Sequence, residues 1–418
     1  MNERIKVFTI SDHPLLPSGV AHTMKNIIVS LLESNKFDVY SYGGAIKHPS
    51  YDPIATEEWG ERWIIQPVDG FGTQESVRST LRSLRPDILL YQSDPRFYDW
   101  LHEMEHEVRA MVPTVWYGIW DNYPYPKYND ATWGSVDQFV SISKVTKDLV
   151  DNVVPNTKNT YIPHSVDENV FRSLGSEHRE AFIREHFPQW DQDKFVVFWN
   201  NRNARRKLSG SLIFWFKDFL DRVGHDKATL IMHTDPTDPH GQDLPVILRD
   251  LELENGEVIL SHGKIEQTQL NKLYNLADVT VNVSDAEGFG LSTLESLSTE
   301  TPIIVNMTGG LQEQVTNGKD WFGIGIEPAA RAIVGTQEIP YIYEDRVSGK
   351  DFVDALEKMY NLSPDERAKL GKKGKKHVEK NYGFDNFKKS WVDLMLKTHE
   401  EFGSWPNKKY KPWELMEL

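Results

Sequence analysis

Two glutamates, Glu287 and Glu295, stand eight positions apart in the stretch DAEGFGLSTLE, residues 285–295. Ionised carboxylates only accept hydrogen bonds, and hydroxyl groups are their natural donors. The run VTVNVS before the stretch is β-rich, EGFG is a loop whose glycines permit backbone geometries that other residues resist, and an apolar helical pattern opens at Ser292. Strand, loop and helix start therefore follow in succession. The amides of Gly290, Leu291 and Ser292 point out of the positive end of that helix, where a phosphate is favoured. Glu287 precedes those amides and Glu295 follows them within a turn, so one carboxylate can reach the hydroxyls of a sugar and the other those of a ribose. Together with Phe289, which the two glycines bracket, these residues suit a nucleotide sugar. The bland alternative is that Ser292 and Glu295 form an S-x-x-E capping box, which would explain both as helix stabilisers contributing about 1 kcal/mol.

A second constellation is cationic. In NNRNARRKLSG, Arg202 and Lys207 are separated by four residues in a strand-to-helix loop, where a guanidinium fork and a point charge would neutralise a diphosphate. Arg205 and Arg206 between them allow the plainer reading of a solvated basic loop. In LPSGVAHTMKNIIVSLL, Gly19 sits at a strand-to-helix turn and suits a close approach of backbone to ligand, while His22 reads as a helical histidine. The run WYGIWDNYPYPKYNDATW, residues 116–133, has too many rings for one core to bury them all, so stacking on a sugar or base competes with a rigid packed loop.

Short β-branched or aromatic runs alternate with helical patterns along the chain, the pattern of parallel sheets with helical crossovers. Strands are expected at residues 6–10, 37–42, 87–91, 114–117, 138–141 and 160–162, and again at 195–199, 229–233, 258–260, 279–283 and 302–305. The turn-rich segment IPHSVDENVF separates the two series and marks a domain boundary. SPDE at residues 363–366 carries a cap, a proline for the first turn and a returning glutamate. The lysines between Lys369 and Lys380 read as a solvated helix face.

As a whole, residues 279–295 resemble the E-x7-E region of retaining glycosyltransferases of family 4. The resemblance implies an α/β protein of GT-B fold, with two Rossmann-like parallel-sheet domains facing across a cleft and a C-terminal helix crossing back to the first. Residues 1–164 are then an acceptor-side domain, 165–385 a nucleotide-sugar donor domain, and 386–418 a helix and tail packing on the N-terminal domain. In this resemblance Arg202 and Lys207 match the family's Arg-x4-Lys donor-phosphate pair, Glu287 orients the sugar and Glu295 binds ribose. Main-chain groups around Ile265 hold the nucleotide base, and Thr308, Gly309 and Gly310 match a Gly-Gly turn beneath the donor. The match at Gly19 is partial, because the common Gly-Gly is here Ser18-Gly19. A further departure lies after the fourth strand, where the family commonly has a histidine and this chain reads Gly118, Ile119, Trp120, Asp121. Asp121 is the ionisable candidate to take over that polar role.

The resemblance implies a metal-independent, retaining hexosyltransferase. It would need no bound cofactor, use a UDP- or GDP-sugar as donor, and transfer to a hydroxyl on a glycan, glycolipid or small molecule. Rival readings are glycosylation of a modified nucleic-acid base, a nucleotide-sugar epimerase, and a non-catalytic nucleotide-sugar binder. At 418 residues the chain is comfortable for two domains of about 200 each. A formal net charge of −15 argues against a general binder of nucleic acid or anionic membrane, without excluding a local basic patch or peripheral membrane contact. The chain has no cysteine, which removes disulfides, thiolate metal sites and thiol nucleophiles. No stretch approaches the ~18 apolar residues of a membrane span, and a cytoplasmic address is the expectation.

Overall fold

The computed structural model describes residues 4–16 and 18–410. The chain divides into two compact units. Unit 1 takes the described residues up to His164, Thr336–Pro340 and the described residues from Asp385 onward; unit 2 takes Ser165–Gly335 and Tyr341–Phe384. Residues 411–418 of the expected C-terminal segment lie outside the described residues.

Unit 1 is built on β1 (Ile5–Asp12), β2 (Phe37–Gly44), β3 (Ile54–Thr56), β4 (Gly60–Pro67), β5 (Ile88–Ser93), β6 (Thr114–Gly118), β7 (Gln138–Ser141) and β8 (Lys158–Tyr161). The sheet runs β3-β4-β2-β1-β5-β6-β7-β8 and is parallel apart from the β3–β4 edge. β5 and β6 are buried at every residue, as strands covered on both faces must be. The pair β3 and β4 was not among the expected strands. In β4 only Trp63, Ile65 and Pro67 are buried, so its signal is a weak alternation behind a charged GER start. The helix Phe384–Phe402 packs on this unit, with Trp391 edge-on to Tyr117 at 5.0 Å and Lys388 bonded to Glu33 at 2.9 Å.

The aromatic run does not bury all its rings in one core, as their number led one to expect: Tyr125 is exposed, and Tyr123 and Tyr128 are partly buried. Trp116, Tyr117, Trp120 and Trp133 are all buried. Trp116 stacks on Tyr91 at 5.5 Å, and Trp133 bridges Trp120 and Phe139 edge-on. The outer rings Tyr123 and Tyr125 donate to Asp148 at 2.7 and 3.1 Å.

Unit 2 has a six-stranded parallel sheet in the order β11-β10-β9-β12-β13-β14. Its strands are β9 (Phe195–Asn200), β10 (Ala228–His233), β11 (Val258–Ser261), β12 (Val279–Asn282), β13 (Ile303–Asn306) and β14 (Gly323–Ile326). Trp199, Leu230, Val281 and Ile304 from the strands join Phe216 and Phe352 from flanking helices in one apolar core. The sequence reading missed β14, whose GIGI has little β-propensity, and the antiparallel hairpin β15 (Ala330–Val334) and β16 (Ile342–Arg346).

The helix Pro364–Asn381 begins with the expected reciprocal cap between Ser363 and Glu366. Its lysines are not all solvated. Lys375 reaches Glu300 at 3.2 Å, and the glycines among them bring this helix against its neighbour: a Cβ at Gly371 would lie 1.7 Å from the Glu300 carbonyl oxygen. Among the described residues, no helix is long and apolar enough to cross a membrane.

Candidate functional site

β12 delivers the chain to the loop 283–290, and the helix Leu291–Ser298 starts immediately after it. Gly290 is the N-cap at φ 95° and ψ 73°, a left-handed geometry that disfavours a Cβ, and no side chain caps the helix. The capping-box alternative for Ser292 and Glu295 is therefore corrected: Ser292 is already the second helical residue. The loop is fastened from below. Gln314, fully buried, donates to the carbonyls of Phe289 and Gly290 at 2.8 and 3.0 Å and accepts from Thr293 Oγ1 at 2.7 Å. With those carbonyls tied inward, the first amides of the helix keep the outward direction that suits an anion. The turn at Thr308, Gly309 and Gly310 lies directly against the loop, since Gly310 N donates to the Glu287 carbonyl at 3.0 Å and a Cβ there would meet Phe289 Cα at 2.6 Å. Phe289 itself is buried edge-on against Tyr382 at 5.8 Å, so its ring packs the interior and only its backbone is left for ligand contact.

The basic loop divides its cations. Arg202 is mostly exposed and forms a two-bond pair with Asp238, Nε to Oδ2 at 2.6 Å and Nη2 to Oδ1 at 3.2 Å. Arg202 and Lys207, expected as a pair on one diphosphate, have different partners here, Asp238 and Glu287. The segment DPTD, residues 235–238, lies against this loop. That segment is bound to the basic loop through Asp238, through Arg205 N to the His240 carbonyl at 3.1 Å, and through Asn203 Nδ2 to the Gln242 carbonyl at 2.6 Å. Arg205 pairs with Glu344 on β16.

Lys207 Nζ donates to the Glu287 carboxylate, and both side chains are about nine-tenths buried. Arg206 is the second cation beside that carboxylate, 3.8 Å away, and it donates to the Ala286 carbonyl. Asn282 Nδ2 completes the surroundings of Glu287 at 3.4 Å. Burial pushes the Glu287 carboxyl up, but Lys207 and Arg206 outweigh it and hold it down at about 2. Glu287 is therefore a fixed anion at neutral pH.

Glu295 has the opposite environment. It is partly buried, with no cation against it among the described residues, and it accepts from the Tyr274 phenol at 2.7 Å. Burial raises its carboxyl to about 7, with the phenol bond opposing the rise. Asp285, also buried, is raised to about 6 by burial and by Glu344, against the pull of Arg346 and Arg205. Ile265 is partly exposed in the loop between β11 and the helix Gln267–Leu276, which also bears Tyr274. Arg206, Tyr274, Asn282 and Glu344 were missed by the sequence reading. Arg206 and Asn282 had a local signal, the one beside Lys207 and the other on β12 five residues before Glu287; Tyr274 and Glu344 come from elements whose approach spacing does not encode.

In unit 1, Gly19 is the first residue of the helix Gly19–Glu33. Ser18 caps that helix, accepting from Ala21 N at 3.1 Å and donating to Asp12 at 2.8 Å. His22 lies one turn on, beside Asn26 at 3.2 Å. Asp121 follows β6, and with Asp94 and Glu338 it stabilises the charge on Arg96, the Asp94 hydrogen bond being the main cause.

Residues 241–377, which span this loop, its helix and the Gly309–Gly310 turn, match the family model of glycosyl transferases group 1. That third of the chain is similar to this group, and the two-sheet architecture is the GT-B fold. A trehalose synthase of Thermococcus litoralis is 25% identical over 141 residues, 33% of this chain and 28% of that protein's length. An alpha-monoglucosyldiacylglycerol synthase of Acholeplasma laidlawii is 27% identical over 129 residues, 31% of either chain. The chain thus matches only about a third of the length of these relatives. The GT-B fold extends further than the sequence likeness. The solved sucrose-phosphate synthase of Thermosynechococcus elongatus superposes at TM-score 0.75 and 14% identity, covering 95% of this chain and all of that one. Anabaena HepE, solved with UDP and glucose, superposes at TM-score 0.67 and 12% identity over 94% of this GT-B chain and all of its own.

Proposed function

We propose that this glycosyltransferase moves a hexose, with retention of anomeric configuration and without a metal, from a UDP- or GDP-sugar to a hydroxyl acceptor. The observation that carries the reading is the Glu287 carboxylate, held ionised by Lys207 and Arg206 beside the uncapped start of the helix Leu291–Ser298. In this reading the donor diphosphate sits over the amides of Gly290, Leu291 and Ser292, with Lys207 and Arg206 turned toward it. Glu287 takes sugar hydroxyls and Glu295 the ribose. Departure of the charged diphosphate is the difficult electrostatic step, so fixed cations and amides supply most of the rate enhancement. Unit 2 is the donor domain and unit 1 the acceptor-side domain; Gly19 is a donor-binding residue and Asp121 a catalytic one. Arg202 enters only by exchanging Asp238 for phosphate. Related proteins support a uridine donor, since HepE was solved with UDP-glucose and an E. coli trehalose-6-phosphate protein with UDP-2-fluoro glucose.

A thermal-shift screen against nucleotide sugars tests the donor assignment, because mass action converts binding into a rise in melting temperature. A UDP- or GDP-sugar is expected to stabilise the protein, and no response to any of them overturns the reading. The anomeric proton of the product, read by NMR, tests retention; an inverted linkage refutes it.

A further inference from the structure

Three elements converge on one phenol. Tyr274 sits on the helix Gln267–Leu276, and its ring is fully buried, edge-on to Phe198 at 5.0 Å and to Phe171 at 6.0 Å. Asn200, the last residue of β9, donates its Nδ2 proton to the phenol oxygen at 3.0 Å. The phenol donates its own proton to Glu295 Oε2 at 2.7 Å, and Glu295 lies on the helix Leu291–Ser298. A phenol has one proton to give, so the Asn200 bond fixes the direction of the relay: amide to phenol, phenol to carboxylate. The Tyr274 backbone is anchored as well, its carbonyl accepting from Thr301 Oγ1 at 2.9 Å.

We infer that Tyr274 is a positioning residue for nucleotide recognition: held by Asn200, it occupies one oxygen of Glu295 and aims the other at the ribose hydroxyls of the donor. The inference rests on the donor reading of this site. A phenylalanine would fill the same ring volume, so packing alone does not require the hydroxyl. Burying a hydroxyl is costly unless it is bonded, and here it is bonded on both sides. A carboxylate kept where burial disfavours its charge is itself a mark of a working group rather than of a stabilising one. The phenol, pushed well above its usual range by burial and by Glu295, remains a donor at every working pH.

Calorimetric titration with UDP and GDP tests the role, using wild type, Tyr274→Phe, Glu295→Gln and the double variant. For whichever nucleotide wild type binds, Tyr274→Phe is expected to weaken affinity about tenfold, the worth of one bond to a charged group. The loss should vanish when the 2′,3′-dideoxy diphosphate replaces the ribonucleotide, and Tyr274→Phe should add nothing in the Glu295→Gln background. An unchanged affinity for the ribonucleotide in Tyr274→Phe overturns the inference. So does an equal penalty for the dideoxy form, which would mark a merely structural residue. If wild type binds but Glu295→Gln binds equally well, the ribose assignment falls and the positioning role with it, while the donor site stands. Binding of neither nucleotide to wild type removes the donor reading and the inference together.

Discussion

The ammonium of Lys207 is seated on the carboxylate of Glu287, eighty positions away in the chain, and both groups are almost wholly withdrawn from solvent. A pair in that condition is poorly described as a stabilising bridge, because desolvation consumes much of its Coulombic gain. In the proposed reading its value is to keep two opposite charges fixed, one for a phosphate and the other for a sugar.

Removing one partner leaves the other buried and uncompensated. Lys207→Met and Glu287→Gln should each lower the stability of unit 2 by about 3 kcal/mol, and the double variant should lose less than the sum. Urea unfolding monitored on all four proteins reads this directly. Both single variants should also lose transferase activity by more than about a hundredfold. The Glu287 carboxyl is depressed to about 2, so its contribution to stability is present above the ordinary glutamate value and lost as pH falls toward about 2. In Glu287→Gln that acid-dependent loss should shrink.

Arg206 and Arg202 make a sharper comparison. Arg206 stands 3.8 Å from Glu287, whereas Arg202 is spent on Asp238 with its side chain 62% exposed. Exposed pairs contribute little, so Arg202→Ala should raise the donor KM by no more than about threefold. Arg206→Ala should raise it about tenfold or more, since a cation beside a buried anion acts in a lower dielectric. Equal effects would mean that Arg202 leaves Asp238 when donor binds.

The pH dependence of donor affinity should belong to Glu295. Its carboxyl is raised to about 7, so the charged form, the better acceptor for ribose hydroxyls, gains population as pH rises through neutrality. Affinity for UDP-glucose, whose diphosphate does not titrate in this window, should therefore increase from about pH 6 to about pH 8 and become flat in Glu295→Gln. For stability the sign is reversed. A raised carboxyl stabilises the fold below the ordinary glutamate value and loses that contribution as pH climbs through about 7, so wild type should weaken relative to Glu295→Gln above neutrality. Titrations at four or five pH values, with melting curves alongside, check both.

Local features of this chain were legible from sequence and convergent ones were not. Every strand expected from a β-branched run appears, because such runs carry their own propensity, while in GIGI of β14 glycines dilute that signal, and the hairpin β15–β16 carries it only in the short pieces Ile333-Val334 and Ile342-Tyr343 among charged residues. The stretch around Glu287 could be read as strand, loop and helix from residue types alone. The capping box at Ser292 was misjudged because a glycine at φ 95° can start a helix without a side-chain cap. Tyr274 and Glu344 escaped notice for a different reason: each meets the site from an element whose approach is decided by sheet order, and the helix pattern containing Tyr274 reads as ordinary core.

A final expectation concerns the brace behind the site. The helix Pro364–Asn381 lies so close to the end of the helix Leu291–Ser298 that a Cβ at Gly371 would be 1.7 Å from the Glu300 carbonyl oxygen, whereas one at Gly374 would be 2.5 Å from a methyl of Leu297. Alanine gains about 1 kcal/mol over glycine inside a helix, so each substitution begins with a credit. At Gly374 the obstacle is the tip of a flexible side chain that can turn aside, and Gly374→Ala should be close to neutral. At Gly371 the obstacle is backbone, and the two helices must separate. Overpacking of that kind costs about 3 kcal/mol, which exceeds the helix gain and should lower the melting temperature by several degrees. Because the displaced helix is the one whose start faces the proposed diphosphate, Gly371→Ala should also reduce the thermal stabilisation by donor, an effect that Gly374→Ala should not share.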